Sequence, residues 1–336
     1  MNEIHGGTNM GDILYNVLIF DVYNQYYRIY NRNDSLSEVG DVKTPIEAIV
    51  NFFSLVNSYI EKFGTKDCKI FWLFDNATSN MMKCRKNLDK DYKKTRKLES
   101  EEFYRGLNLI ELILKFYRDN SYTFRKSGIE GDDFVQPILD NYVDKHDKVL
   151  MFSTDMDWTR GLLQDDKNDI IVNQYIKNNE ILTVNSFEKK YGFKPTTTNV
   201  IFYKVFNGDS SDSILPTLSN YPKQYFLDCI KRYSHVSRFI DDAISGKLSY
   251  LDTAWRIKIK QNAERMMLNW ELISSIDLDS RELENLKVEC FYKPNKLLII
   301  YNTLNVVGRF DKRVKNKKEG SDMLNMLDGE NLDRAD

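Results

Sequence analysis

The sequence predicts an α/β fold with a mostly parallel sheet, followed by a helical region. Three observations predict it. Short apolar runs of strand length recur in the first half, each ending at or near an aspartate. Stretches of helical periodicity separate them. From about Phe202 onward the pattern is helical, with little strand signal. Strands alternating with helices imply parallel pairing, with helices layered on the sheet.

Tyr15 to Phe20 (YNVLIF) reads as a buried strand ending at Asp21. Thr44-Pro45 then opens a helix, with a capping hydroxyl, proline at the first helical position and Gly64 as the stop. Its apolar face runs through Ile49, Phe52, Phe53, Val56 and Ile60. Lys69 to Phe74 (KIFWLF) is a second buried strand, ending at Asp75. Glu101 to Tyr117 is helical, and so is Glu130 to Tyr142, where Pro137 should kink or break the helix. Lys148 to Ser153 (KVLMFS) is a third strand, ending near Asp155, and Asp169 to Val172 suggests a fourth. Further helices are expected over Pro222 to Tyr233, Val236 to Ile244, Tyr250 to Ile273 and Ser280 to Leu286. Leu297 to Asn302 reads equally as a helix or a late strand. The expected division is a core over 1–200, a helical region over 201–310 and a charged tail over 311–336, too polar to fold on its own.

Composition excludes several classes. Three histidines in 336 residues argue against a histidine-based metal site or triad. Four scattered cysteines, without close spacing, fit neither a zinc motif nor a disulfide framework, so a cytoplasmic protein is expected. The longest mostly apolar run, Leu297 to Val307, is far too short for a bilayer. Gly128 to Gly131 lacks the lysine and hydroxyl of a phosphate-binding loop. The net charge of −2 does not mark a polyanion binder, but the charge is unevenly placed. Lys83, Arg85, Lys86, Lys90, Lys93, Lys94, Arg96 and Lys97 face only Asp89 and Asp91, a local excess of +6. A solvated helix mixes its signs more evenly.

The acidic residues are the main chemical signal. In a parallel sheet, ligands bind beyond the carboxyl ends of the strands, where Asp21, Asp75 and Asp155 all fall. Three clusters add to them: Glu130-Gly131-Asp132-Asp133, Asp155-Met156-Asp157 and Asp209-Ser210-Ser211-Asp212. Glu130 and Asp133 share one face at a helix start. Asp155 and Asp157 point the same way if the chain stays extended. Asp209 and Asp212 lie on a glycine-containing turn. So many carboxylates in one place would repel each other, and divalent cations remove that penalty. Two ions about 3.5–4 Å apart suit an in-line displacement at phosphorus.

These residues resemble the flap-endonuclease and 5′-3′ exonuclease superfamily, and within it most closely the bacteriophage ribonuclease H enzymes. The likeness rests on LIFDVYNQYYRIY from Leu18, FDNATSNMMKCRKNLDKDYKKTR from Phe74, GIEGDDFV from Gly128, FSTDMDWTRGL from Phe152 and FNGDSSDSI from Phe206. It implies a PIN-like three-layer α/β/α core and a helical DNA-binding region of altered helix-three-turn-helix type. It implies that Asp21, Asp75, Glu130, Asp132 and Asp133 surround one Mg2+. Asp155, Asp157 and Asp212 surround a second, with Asp209 nearby and Mn2+ able to substitute. The basic stretch becomes a gateway over 79–105, with Arg85 and Lys93 set to contact the scissile phosphate. Lys83, Lys86, Tyr92, Lys94 and Arg96 are then expected on nucleic acid, Tyr92 either stacking on a base or packed.

The chain departs from the family at Ser213 to Asn220, where many relatives carry a glycine-rich hairpin that grips duplex backbone. The resemblance implies a monomeric 5′ nuclease acting on RNA primers, 5′ flaps or short 5′ fragments in DNA replication. Its expected partners are DNA, RNA–DNA hybrid and replication proteins. The competing readings are a PIN-type endoribonuclease and a non-catalytic nucleic-acid-binding scaffold.

Overall fold

The computed structural model describes residues 13–32, 37–39, 42–75, 83–94, 99–177, 180–274 and 278–304. The side chains of 37–39, 42, 43, 83, 84 and 86 are not described. The expected tail over 311–336 and Arg96 therefore lie outside the described residues, as do the side chains of Lys83 and Lys86.

The chain opens with β1 (Tyr15–Asp21) and α1 (Val22–Tyr30), then a hairpin of β2 (Ser37–Val39) and β3 (Val42–Thr44). The elements α2 (Ile46–Phe63), β4 (Gly64–Leu73), α3 (Lys83–Leu88), α4 (Glu101–Leu114) and β5 (Ser121–Phe124) follow. A 3-10 turn, Gly131–Phe134, leads into α5 (Val135–Tyr142) and β6 (Lys148–Phe152). A second 3-10 turn, Asp157–Gly161, precedes β7 (Leu163–Asp165), β8 (Ile170–Lys177) and β9 (Glu180–Leu182). Helices α6 (Val184–Tyr191), α7 (Thr197–Asn207), α8 (Lys223–Arg232), α9 (Val236–Ile244), α10 (Thr253–Gln261), α11 (Ala263–Ile273) and α12 (Ser280–Leu286) come next. The last described elements are β10 (Val288–Cys290) and α13 (Pro294–Thr303).

The main sheet runs β10-β5-β4-β1-β6-β8-β7, with β9 also on β8. Its five central strands, β5-β4-β1-β6-β8, are parallel, and β10, β7 and β9 are antiparallel additions. The strands are apolar on both faces because both are covered. Leu18, Phe20, Ile70, Trp72, Leu150 and Phe152 pack with α1, α2 and α4. Val17, Ile19, Phe71, Leu73, Val149 and Met151 pack in a cluster that continues into α5, α7, α9 and α11. An irregular register between Tyr15 and Val17 moves Tyr15 out of this alternation and onto the first face. Phe20 stacks on Phe152 at 4.4 Å and on Trp72 at 4.7 Å, tying three neighbouring strands together.

Several expectations change in detail. No side-chain bond caps α2: Thr44 closes β3, and Pro45 is the cap residue. Gly64 does end α2, but in an extended conformation that opens β4 at once. The predicted helix over Glu130 to Tyr142 divides into the 3-10 turn and α5, so Pro137 sits in the first turn of α5, where its missing N–H is not needed. The predicted helix over Tyr250 to Ile273 breaks at Asn262, whose side chain bonds back to Lys258 O at 2.8 Å. The choice left open at Leu297 resolves as helix α13.

Gly106 of α4 faces Tyr26, which is fully buried. A Cβ there would collide with the Tyr26 hydroxyl and the Pro45 ring. Alanine would add about 1 kcal/mol of helix propensity, whereas overpacking costs about 1–3 kcal/mol. Gly106→Ala is therefore expected to destabilise in urea unfolding, and adding Tyr26→Phe should recover part of the loss. A Gly106→Ala variant as stable as the wild type would show that α4 and α1 are not packed this tightly.

Candidate active site

Five chain segments bring carboxylates to the carboxyl edge of the parallel strands. Asp21 ends β1 and caps α1, accepting from Asn24 N at 2.9 Å and from the Ser153 hydroxyl at 2.8 Å. Asp75 lies two residues past β4 and accepts from Gly131 N at 2.5 Å. A Cβ on Gly131 would sit 3.0 Å from that carboxylate, so glycine permits the approach. Glu130 enters the 3-10 turn, and the Asp133 carboxylate accepts from Glu130 N at 3.1 Å.

Beyond β6 the chain turns rather than staying extended. Asp155 Oδ1 accepts from Asp157 N at 2.9 Å, and Asp157 begins a 3-10 turn. This corrects the expected extended geometry; a short Asx-type turn brings the two acids into one another's field instead. Asp209 and Asp212 follow Gly208, whose φ of +71° suits glycine. The turn is closed by Asp209 N to Ile214 O at 2.9 Å and Ile214 N to Asp209 O at 2.8 Å. Asp157, Asp209 and Asp212 each offer an oxygen within 4.8 Å of the others, close enough for one cation.

Titration behaviour separates the acids. Burial raises Asp21 well above the ordinary carboxylate range, and Asp75 and Asp155 add to the rise. Burial also raises Asp132, reinforced by Asp133, Asp157 and Glu130. Asp155 is pushed up to about 6 by burial and then by Asp157. Burial would raise Asp157 too, but Arg160 and Lys204 outweigh it and hold Asp157 low. Asp209 is likewise held low by Lys204 against the pull of burial.

Four cations answer this charge. Lys93 Nζ lies 2.7 Å from both Glu130 oxygens and 3.8 Å from Asp212. Its backbone takes a left-handed φ of +53°, and its N–H bonds Asp212 O at 2.8 Å. Arg85 reaches Glu130 at 3.2 Å, Asp133 at 3.3 Å and Ser274 O at 3.1 Å. Lys204 of α7 bridges Asp157 at 2.6 Å and Asp209 at 2.5 Å. Arg160 pairs with Asp157 from the same turn.

The other predicted residues divide. Tyr92 is buried, its hydroxyl 3.3 Å from Glu130 and 3.4 Å from Asp212, so it is packed and not presented for stacking. Lys94 is exposed and paired with Asp91 at 2.9 Å. Lys204 and Arg160 were not foreseen. Their signals were a lysine four residues after Val200 on a buried helix, and an arginine one turn after Asp157.

The model for "5′-3′ exonuclease, N-terminal resolvase-like domain" matches residues 16–192. The chain belongs to the 5′-3′ exonuclease family. A 5′-3′ exonuclease of Buchnera aphidicola (subspecies Acyrthosiphon pisum, strain APS) is 26% identical over 269 residues, covering 78% of this chain and 87% of that protein. The bacteriophage T5 D15 protein, co-crystallised with metal ions, shares the fold at a TM-score of 0.56 and 16% identity. That match covers 92% of this chain and 98% of the T5 chain. The T5 D15 flap endonuclease in a complex with DNA and metal ions gives a TM-score of 0.54 at 16% identity, over 93% and 99% of the two chains. This chain is thus a nuclease of the 5′-3′ exonuclease family, and it shares the mixed α/β fold of the T5 protein. No described helix is long and apolar enough to cross a membrane.

The pKa directions set a pH dependence. A raised carboxylate leaves folding unopposed below its unfolded value near 3.8 and opposes it as pH climbs through the folded value, about 6 for Asp155. Asp157 and Asp209 have the opposite sign, and their stabilisation is lost only as pH falls below about 4. In metal-free protein the melting temperature is therefore expected to fall between pH 4.5 and 7. A divalent cation should restore more at pH 7.5 than at pH 5. Equal restoration at both, measured by scanning calorimetry, would contradict this assignment.

Proposed function

We propose that this chain is a structure-specific 5′ nuclease that hydrolyses phosphodiester bonds in RNA primers, 5′ flaps or short 5′ fragments during replication, using two Mg2+ ions. The observation that supports it most is the meeting of nine carboxylates with Lys93, Arg85 and Lys204 at one sheet edge. Asp21, Asp75, Glu130, Asp132 and Asp133 would hold one ion. Asp155, Asp157, Asp209 and Asp212 would hold the other. Among the described residues this acidic set fits hard divalent cations, which prefer carboxylate oxygen. The Glu130 and Asp133 oxygens already engaged by Lys93 and Arg85 would be shared or released on loading. When bound, the ions supply charge neutralisation at the phosphate and acidify the attacking water.

The chain's own residues supply the rest. Lys93 and Arg85 hold their charges against Glu130 at 2.7 and 3.2 Å. A scissile phosphate arriving beside Glu130 would draw both toward its oxygens, where they stabilise charge developing in the transition state. Lys204 keeps Asp157 and Asp209 ionised, so both are ready to accept a cation without first losing a proton. The helical region over 201–310 would hold the duplex. Its turn after Asp212 directs the Thr217 and Leu218 N–H groups inward to Phe206 O at 3.0 and 3.1 Å. Those amides are therefore not offered to a phosphate, and duplex grip would fall to side chains instead.

The test is incubation with 5′-labelled flap, nicked duplex and RNA–DNA hybrid, with and without Mg2+. Short 5′ products are expected only with metal. Asp155→Asn and Asp75→Asn should each remove cleavage and largely spare binding, and Lys93→Ala should slow turnover more than it weakens binding. Cleavage at internal sites of single-stranded RNA alone would favour a PIN-type endoribonuclease. Binding without cleavage in Mg2+ or Mn2+ would favour a scaffold.

A further inference from the structure

The loop after β6 carries Ser153 and Asp155, and its backbone is held by two buried glutamines that offer no charge. Gln174 of β8 lies opposite Met151 in the register and is 1% exposed. Its amide nitrogen donates to Ser153 O and to Asp155 O, both at 2.9 Å. Gln25 of α1, fully buried, donates to Phe152 O at 3.2 Å and to the Asn24 side chain at 3.3 Å. Three of the four carbonyls from Phe152 to Asp155 thus accept a side-chain amide.

The loop turns this backbone grip into carboxylate placement. The Ser153 hydroxyl donates to Asp21 Oδ2 at 2.8 Å and accepts from Asp155 N at 3.1 Å. Asn24, next to Gln25, donates from its side chain to Thr154 Oγ1 at 2.9 Å and from its backbone to Asp21 at 2.9 Å. A shift of the loop would therefore move Asp21 and Asp155 together. The orientation of the Gln174 amide is set by its surroundings, since a flipped amide would place its oxygen against two carbonyl oxygens.

We propose that Gln174, with Gln25 as a second arm, is a positioning residue that fixes Asp21 and Asp155, one for each of the two divalent cations, by clamping the 153–155 backbone. The inference rests on the metal-dependent reading of the site. Glutamine suits the role because one NH2 group can satisfy two carbonyls at once. An apolar side chain of equal size would leave the buried Ser153 carbonyl and the part-buried Asp155 carbonyl without this donor. Outer partners of metal ligands typically carry about a 10–100-fold effect on metal affinity or activity.

The test compares Gln174→Met with Asn173→Leu in the full chain. Asn173 is the neighbouring buried residue of β8, and its side chain bonds only the Tyr15 hydroxyl, at 3.1 Å, among the described contacts. Both variants lose a buried polar bond, but only one touches the loop. Mn2+ binding is titrated calorimetrically, and melting temperature is recorded beside it. Gln174→Met is expected to weaken Mn2+ binding by about tenfold or more, while Asn173→Leu lowers the melting temperature and leaves Mn2+ affinity unchanged. Wild-type affinity in Gln174→Met, or equal weakening in both variants, overturns the proposal. If Gln174→Met does not fold, Gln25→Met, which removes the second arm's bond to Phe152 O, carries the same comparison. Weakened binding there supports the clamp, and unchanged binding overturns it. Wild-type protein that binds no Mn2+ would overturn the metal reading itself, a result separate from unchanged affinity in the variants alone.

Discussion

Mutual repulsion among carboxylates is the constraint around which the rest of the molecule is arranged. The fold collects them because parallel strands place all their carboxyl ends on one edge, and the crossover loops start there. Burial makes the repulsion stronger, since fewer waters share the charge. Asp21, Asp132 and Asp155 show the consequence directly, each raised first by burial and then by neighbouring acids. Asp157 and Asp209 escape it because Lys204 stands against both, with Arg160 on Asp157 and the Ser211 hydroxyl on Asp209.

That balance gives the site two unequal halves. Around Asp157 and Asp209, the protein supplies its own positive charge from a buried lysine. Around Asp21 and Asp155, hydroxyl and amide groups hold the acids in place without neutralising them. Lys93 and Arg85 close the side toward the basic segment, each engaged with Glu130. A divalent cation would relieve the second half most, because burial and neighbouring acids still hold Asp21 and Asp155 high although the field of Lys204 reaches Asp155. The gateway cations would then be released to a polyanionic substrate as the ions take over their partners.

Much of this was legible in the sequence, for reasons that can be named. The central strands announce themselves because they are buried on both faces, so YNVLIF, KIFWLF and KVLMFS are nearly continuous apolar runs. Each aspartate beyond them was visible for the same reason. Two short strands were not visible. β5 mixes Ser121 and Thr123 with aromatics, and β10 is three residues drawn from a helical region to pair across 160 positions or more. The Lys204–Asp157 pair was hidden because the two residues are 47 apart in sequence, although its other partner, Asp209, lies in the turn just after α7. Gln25 and Gln174 were hidden in the same way, since a buried glutamine is intelligible only once the carbonyls it serves are known. Thr44 illustrates the opposite error, a locally sound capping signal overridden by pairing in the β2–β3 hairpin.

Under the proposed function these carboxylates form one centre for two divalent ions. Anomalous diffraction from crystals soaked in Mn2+ tests it most directly. Two peaks about 4 Å apart are expected, one among Asp21, Asp75 and Glu130, the other among Asp157, Asp209 and Asp212. Mn2+ peaks only at other surfaces, with Lys93 and Lys204 still seated on their carboxylates, would contradict it.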